Sequence, residues 1–337
     1  MKKFFYLAVA ACAALAACSK NEVTPVDVDQ QITFQAVVSP STKALGATQK
    51  TFSTDHVFRS WAFHDQTDWS TSSSTAQLYL GGTDGALISY QTDSWKSTTT
   101  YYWPKTGKLT FFSYSTDKAD CAITGATVTC TNADGITVTN YNLESNNNVD
   151  FLVADIAKDQ TTNTSTYEHN GVPTLFRHKL SYVIFQIKTA NTYAGKTFTL
   201  KSIKLNNIAK EGNYTQGAGS TEGWNGTTPE NKEYLSTEQV FAADLVTPTS
   251  TRDYYIPMTF TDSQTIELVY EIKTENGTAT PATETITVNK KLSELFPNSW
   301  EMGKKYTCVI TVTLNEILWD PAIEDWEDGS STPVAIS

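Results

Sequence analysis

The 337-residue sequence is poor in charged side chains, and this scarcity excludes several classes of protein. Only 18% of the residues are charged, below the roughly 25% usual for soluble proteins. Thr, Ser and Tyr are abundant instead, which favours strands and turns over helices. The net charge of −11 would repel phosphate backbones, so we expect no nucleic acid partner.

Motifs of the common enzymes are also missing. The chain has no Gly-x-Ser-x-Gly elbow, no His-Glu-x-x-His, no P-loop and no Rossmann glycine pattern. His56 and His64 lie near aspartates, but independent surface histidines explain them better than a metal site does. His178 has no evident nucleophile beside it, which favours a hydrogen-bonded structural histidine at a domain seam. We therefore expect no enzyme, no catalytic residue, no cofactor and no metal.

An acidic cluster near the end of the sequence is the other candidate cation site. It lacks the EF-hand order of ligands and glycine, so a solvated acidic end is the better interpretation. Its members surround Trp326 and are Asp320, Glu324, Asp325, Glu327 and Asp328.

Long apolar runs are confined to the start of the chain. Two lysines precede the apolar segment Phe4–Leu15, which is too short to span a bilayer permanently. The segment ends in Leu-Ala-Ala-Cys, which resembles the lipobox of bacterial lipoproteins and implies cleavage before Cys18 and acylation of that residue. The alternative is an ordinary secretory signal with a chance cysteine. We expect a lipoprotein signal peptide over 1–17 and a tether over 18–30.

The five cysteines agree with export. The segment CAITGATVTC predicts a hairpin around Gly125-Ala126, since glycine suits the first central position of a type II′ turn. Cys121 would then face Cys130 at a non-hydrogen-bonded pair, with Cα atoms about 4.5 Å apart, within disulfide range. We expect a disulfide there, the alternative being two reduced thiols. Cys308 lies in an alternating strand and is expected in the core.

The first strand after the tether alternates cleanly between apolar and polar residues. Thr33 and Gln35 occupy the polar face, which predicts a half-buried strand over residues 32–38 that we expect at a sheet edge. The apolar face consists of Ile32, Phe34, Ala36 and Val38.

The densest apolar run of the mature chain, Leu175–Lys188, predicts a strand buried on both faces. Such a strand needs a layer on each side, and the length of the chain suggests two domains. We expect an all-β protein with an N-terminal β-sandwich over 31–173, a C-terminal β-sandwich over 174–328 and a flexible tail over 329–337.

In this order the pieces resemble the fimbrillins, pilin-like lipoproteins of Bacteroidales that include the Mfa-like group. The resemblance covers nearly the whole chain. It is carried by the lipobox, ITFQAVV, YYWPKTGKLTFFSYS, VDFLVA, LFRHKLSYVIFQIK, FTLKSIKLNN, YTCVITVTL and the closing segment from Trp319 to Trp326.

The resemblance implies two tandem transthyretin-like β-sandwiches and export as a lipidated precursor. It also implies fimbriae assembled by donor-strand exchange, in which a protease cuts after a basic residue behind the first strand. The released strand then vacates a groove for a strand of a neighbouring subunit. Here the cut would fall between Lys43 and Ala44. The family pattern has arginine before the cut, whereas the first arginine of the mature chain is Arg59.

The sequence therefore predicts a non-enzymatic fimbrial or fimbrillin-like lipoprotein, anchored by lipid in the outer membrane and exposed at the cell surface. Its expected partners are other fimbrial subunits and host or bacterial surface glycans or proteins. The alternative is a glycan-binding surface lipoprotein that never polymerises. Clustering of Trp69, Trp95 and Trp224 on one open face, where they could stack on sugars, would favour that alternative. We expect instead that these side chains cap the ends of the sandwiches.

Overall fold

Strands dominate the part of the chain that the structure describes. This structure is a computed structural model, and it describes residues 30–326 except for 39–49, 117, 167–168, 220, 276, 278–280 and 298. Strands make up 59% of the structure and helices 4%, which confirms the all-β prediction.

Thirteen of the described strands lie between Phe34 and His178. They are β1 (Phe34–Val38), β2 (Lys50–Thr51), β3 (Val57–Asp65), β4 (Gln77–Leu80), β5 (Ala86–Gln91), β6 (Ser94–Ser97), β7 (Lys108–Thr116), β8 (Thr127–Thr131), β9 (Gly135–Asn142), β10 (Phe151–Ala154), β11 (Ala157–Gln160), β12 (Thr164–Thr166) and β13 (His169–His178). A short helix, α1 (Trp69–Ser72), continues into a 3₁₀ turn at Ser73–Thr75.

The later strands of the described part include one of 20 residues. They are β14 (Ser181–Thr189), β15 (Lys196–Thr215), β16 (Gly223–Glu233), β17 (Gln239–Phe241), β18 (Tyr254–Tyr255), β19 (Met258–Thr259), β20 (Thr265–Thr274), β21 (Ala282–Lys291), β22 (Ser299–Trp300), β23 (Lys304–Val312) and β24 (Ile317–Asp325). The helix α2 (Leu292–Leu295) separates β21 from β22.

The first strands close into a ring. The hydrogen-bonded order is β7-β10-β13-β1-β6-β5-β3, and β3 pairs again with β7 over seven residues. Four further strands attach to this ring, namely β11, β4, β2 and β12. Side chains from all seven ring strands fill its interior, so the ring encloses a hydrophobic core of its own.

The later strands form a second layered unit around another core. The sheet β18-β14-β23-β24 faces the sheet β21-β20-β15-β9-β8, to which β16 and β17 add through β15. The long strand β15 pairs with β20 near its start and with β9 near its end. A third cluster, which includes Phe151, Tyr214 and Trp326, joins residues of both halves. The tandem-sandwich boundary at residue 173 stays a prediction.

The central apolar run is two strands rather than one. It breaks at Lys179-Leu180, where β13 of the ring ends and β14 of the other sheet begins. Other segments satisfy the backbone at this break, because the Lys179 N–H donates to the Phe151 carbonyl at 2.8 Å. The expectation of burial on both faces is wrong for β14, whose residues alternate between buried and half-buried. The run serves two sheets, and each part meets a different core.

Within the described residues, the helices are too short and too polar to cross a membrane.

Candidate functional site: the groove that holds the first strand

The first strand lies inside the ring wall. All five residues of β1 are buried, and it pairs in parallel with β13 from Phe34 opposite Val172 to Val38 opposite Phe176. The side chains of Ile32, Phe34, Ala36 and Val38 all belong to the core of the ring. The strand therefore fills a groove between its two neighbours with the apolar face that the alternation predicted.

Aromatic rings form the floor of this groove. The Phe34 ring centroid lies 5.4 Å from that of Phe58 and 5.6 Å from that of Phe111, both nearly perpendicular. Phe52 stacks on Phe176 at 4.8 Å. Edge-to-face and offset contacts of this kind stabilise aromatic clusters beyond the area they bury. Removal of β1 would expose this floor to water.

The other side of β1 is only lightly paired. Among the described residues, β6 contributes one pair, Phe34 with Trp95, and β2 contributes two, Val37 with Thr51 and Val38 with Lys50. The prediction of an edge strand is wrong, because β1 closes the ring between β13 and β6. The seam between β1 and β6 is nevertheless the shortest pairing in the described ring.

The predicted polar face of β1 is not in water. Gln35 is 3% exposed, and its amide oxygen and nitrogen have no hydrogen-bond partner among the described residues. The expectation of a half-buried strand is therefore wrong, since both faces of β1 are covered. A buried polar group without a partner costs about 1–3 kcal/mol. Gln35 thus weakens the hold of the ring on this strand.

The hairpin predicted around Gly125-Ala126 does not form. Cys121 lies outside the strands with φ 57°, and β8 pairs with β9, which places Cys130 opposite Ile136. Both thiols are free in the structure, as is that of Cys308, so the predicted disulfide is wrong. β8 forms five pairs with β9, whereas the predicted hairpin would have provided only four. Burial raises the pKa of Cys121 to about 11 and that of Cys308 to about 12.

The histidines and acidic residues form no metal cage in the described part of the chain. The His64 ring nitrogen Nε2 lies 2.8 Å from the Thr106 carbonyl. Buried His178 has its Nδ1 2.8 Å from an Asp150 oxygen and stacks on the Trp326 ring, with centroids 3.9 Å apart. This is the hydrogen-bonded histidine that the sequence predicted.

The acidic segment pairs with lysines of the neighbouring strand β23. Lys304 contacts Asp325 at 2.6 Å and Lys305 contacts Glu324 at 3.4 Å. Charges paired across two strands are not gathered around one point, as oxygen ligands of calcium would be. Glu327 and Asp328 lie outside the described residues.

The three tryptophans considered for sugar stacking do not share an open face. Trp69 packs with Phe63 and Phe112 in the cluster between the halves, and Trp95 lies in the wall of the β1 groove. Trp224 is half-buried and donates its indole N–H to the Lys179 carbonyl at 2.7 Å. The arrangement therefore lacks the clustering that would favour the glycan-binding alternative.

Three predicted positions, Cys18, Lys43 and Ala44, lie outside the described residues. Conversely, the sequence did not point to two residues that contact the leading end of β1. Asn163 and Gly171 lie within a polar stretch that reads as a loop. Nothing in its composition marks either residue, since their role depends on a strand more than 120 positions away.

The chain is similar to several known proteins. A family model described as fimbrillin-like matches residues 42–326. The fimbrium subunit Fim1C of Phocaeicola vulgatus is 23% identical over 385 aligned positions, which cover 98% of each chain. A solved fimbrial protein from Bacteroides vulgatus superposes with a TM-score of 0.61 at 18% identity, covering 88% of this chain and 99% of that one. The last likeness concerns the fold alone.

Proposed function

Because this chain belongs to the fimbrillin-like family, we propose that it is a structural or accessory subunit of a cell-surface fimbrium assembled by donor-strand exchange. Its role is mechanical and adhesive, and no step of it is enzymatic. Other fimbrial subunits are its partners in the polymer, as the fimbrium-subunit relative suggests. Its adhesive targets are glycans or proteins of host or bacterial surfaces.

One observation carries this proposal: β1 closes the ring and is only lightly paired on the side of β6 and β2. It is the first strand of the described chain, and only the segment 39–49 joins it to the residues that follow. A cut between Lys43 and Ala44 would leave β1 held to the ring by noncovalent contacts alone. No other strand of the ring would need to move for it to leave.

An emptied groove would require another strand. Burial of a large apolar side chain such as Phe34 contributes roughly 1.5–3 kcal/mol. The vacancy would also leave the edge of β13 that faces β1 without a strand partner along five residues, from Val172 to Phe176. An incoming strand restores both contributions at once, which is the general basis of strand addition.

The last described strand has the side chains to fill the groove. In β24, the residues at alternate positions are Ile317, Trp319, Pro321 and Ile323. They repeat the order of Ile32, Phe34, Ala36 and Val38, which is a branched aliphatic, an aromatic, a small residue and a second branched aliphatic. β24 also lies at the edge of its sheet, with Ile323 43% exposed. We propose β24 of another copy as the donor.

The proline in β24 suits the same register. Pro321 would take the place of Ala36, and Ala36 lies opposite no described residue of β6 or β2. Proline cannot donate to a ladder, so it belongs where a ladder bond is not made. The proposed donor therefore places its proline at the gap in the lightly paired side of the groove.

The lipid anchor completes the proposal. Acylation at Cys18 would hold an uncut subunit at the outer membrane, since several acyl chains together anchor a protein stably. A cut after Lys43 would release the subunit into the polymer. The subunit would therefore begin or end a fibre when uncut and extend it when cut.

A reversible lock of β1 tests the exchange. In the double variant Ala36→Cys with Thr174→Cys, the two cysteines lie opposite each other on paired strands, within disulfide reach. Oxidation should abolish fibre growth by the cut protein, and a reductant should restore it. The matched control, Ile184→Cys with Thr307→Cys, locks the parallel pair β14–β23 away from the groove. Fibres that grow equally well with the first lock closed would refute strand exchange at β1.

A further inference from the structure

The residues that lead into β1 are held through their backbone atoms. The Asn163 side chain makes two of these contacts: its Nδ2 donates to the Gln31 carbonyl at 3.1 Å, and its Oδ1 accepts the Thr33 N–H at 3.2 Å. The Val172 N–H donates to the Thr33 carbonyl at 2.8 Å. The strand contributes only backbone N–H and carbonyl groups to these contacts. Any residue except proline, which lacks the N–H, can supply both groups.

The opposite side of the same segment is held in the same way. The Ile32 N–H donates to the Tyr101 carbonyl at 2.8 Å, and Gln31 forms an isolated antiparallel β-bridge with Tyr102. A further bond orients Asn163, because its Oδ1 also accepts the Trp103 indole N–H at 2.9 Å. The carboxamide thus sits at a fixed angle and offers the strand one donor and one acceptor, as a peptide group would.

Gly171 lets the strand approach. It has φ +151°, and a Cβ added to it would lie 2.6 Å from the carbonyl carbon of Phe34 and 3.0 Å from the Gln35 nitrogen. Both of these atoms are backbone atoms, so neither could turn aside as a flexible side chain does. Any residue other than glycine would therefore exclude any strand, whatever its side chains.

We propose that Asn163 and Gly171 form a sequence-independent receptor for the leading end of a β-strand, and that its second occupant is an extended strand of another copy of this chain. This inference rests on the proposed function, because a second occupant requires that β1 leave. The apolar floor of the groove selects side chains further along the strand. The receptor fixes where the strand begins, and so sets its register without reading its sequence.

The test uses the full chain in mild detergent, with a protease site introduced at the Lys43-Ala44 bond and then cut. Three labelled peptides compete for the groove: the sequence of residues 30–38, the same peptide with alanine at positions 31 and 33, and the same peptide with a backbone ester in place of the Thr33 N–H. Asn163→Ala should lower the affinity of the cut chain for the first two peptides equally, by about tenfold, as expected for two lost hydrogen bonds.

The ester peptide isolates one bond. The ester peptide should bind the unaltered cut chain several-fold more weakly than the amide peptide does. In the Asn163→Ala chain, where the acceptor is missing, the two peptides should bind equally well. Asn163→Asp, which keeps the acceptor but loses the donor, should show a smaller loss than Asn163→Ala. Asn231→Ala is the control, since Asn231 Oδ1 accepts the Asn207 N–H at 3.0 Å in the other half and should leave all three peptides unaffected.

The outcomes separate the two proposals. If the first two peptides bind the cut chain but Asn163→Ala binds them as well as the unaltered chain does, the receptor is wrong and strand exchange stands. A loss that differs between those two peptides would also overturn it, because the strand side chains would then be read. If neither peptide binds the unaltered cut chain, exchange at β1 fails, and the second occupant fails with it.

Discussion

From the buried amide of Gln35 we predict that one substitution will stabilise this protein and slow the release of β1. Both amide atoms of Gln35 are buried without a partner among the described residues. Gln35→Met replaces them with an apolar side chain of similar size. Because each unsatisfied group costs about 1–3 kcal/mol, we expect unfolding to become harder by about 2 kcal/mol. For a chain of this length, that corresponds to a rise in melting temperature of about 3 °C.

A second buried glutamine provides the matched control. Gln216 accepts the Ile136 N–H at 3.1 Å and donates to the Ala154 carbonyl at 2.8 Å. Gln216→Met leaves both of those backbone groups buried and unpaired, so it should destabilise the fold by about 2–4 kcal/mol. The same chemical change is thus expected to act with opposite signs at Gln35 and Gln216.

The assays are thermal and denaturant unfolding of the full chain in mild detergent, followed by release of β1 from the cut protein. If position 35 leaves its buried site before the transition state for release, the full 2 kcal/mol adds to the barrier. The rate of β1 release should then fall by roughly 30-fold in Gln35→Met. A Gln35→Met chain that melts at or below the unaltered temperature would refute the reasoning. So would a Gln216→Met chain that melts higher, because the sign of each change follows from hydrogen bonding alone.

Two further predictions concern buried groups elsewhere. Cys121 and Cys308 should resist iodoacetamide at pH 8 in the folded chain and react fully in denaturant, because burial raises each pKa and keeps the thiol protonated; a mass two hydrogens lower, with Cys121 and Cys130 unalkylated after unfolding, would contradict the free thiols. Arg252 is fully buried against Glu230 and the half-exposed Glu144. Arg252→Met should cost about 3–5 kcal/mol in urea unfolding, since it strands a buried carboxylate, and adding Glu230→Gln should recover part of that loss; no recovery would show that the pair is not the cause.

Several parts of this protein were accessible to sequence reasoning. Period-two alternation located β1 and β23, and the same pattern assigned the apolar face of β1 to a core. The composition favoured an all-β fold because Thr, Tyr and Val suit pleated surfaces. The central run was more difficult. Its apolar character was evident, but its division between two sheets depends on partners far away in the chain, which alternation cannot identify.

The failures have physical causes that can be named. Gly125-Ala126 was a sound turn signal, yet Cys130 lies on a strand that pairs with β9 instead, because a hairpin competes with every other available partner. Trp69 and Trp95 lie in or beside polar loops, but both are buried. The polarity of neighbours along the chain does not report which sheet covers a side chain, since that sheet comes from elsewhere in the sequence.

By itself, the sequence determined the strand-rich class, the apolar face of the first strand, the family and the absence of the common catalytic motifs, since each depends on local pattern or residue type. Only the tertiary structure decided that β1 closes a ring, that Gln35 is buried without a partner among the described residues, and that Asn163 and Gly171 hold the leading end of the strand. The pairing of β1 with β13 and the contacts of Asn163 and Gly171 with the leading end of β1 join residues more than 100 positions apart. Such contacts exist only once the chain has folded, because pairing and burial are set by distance in space rather than along the sequence.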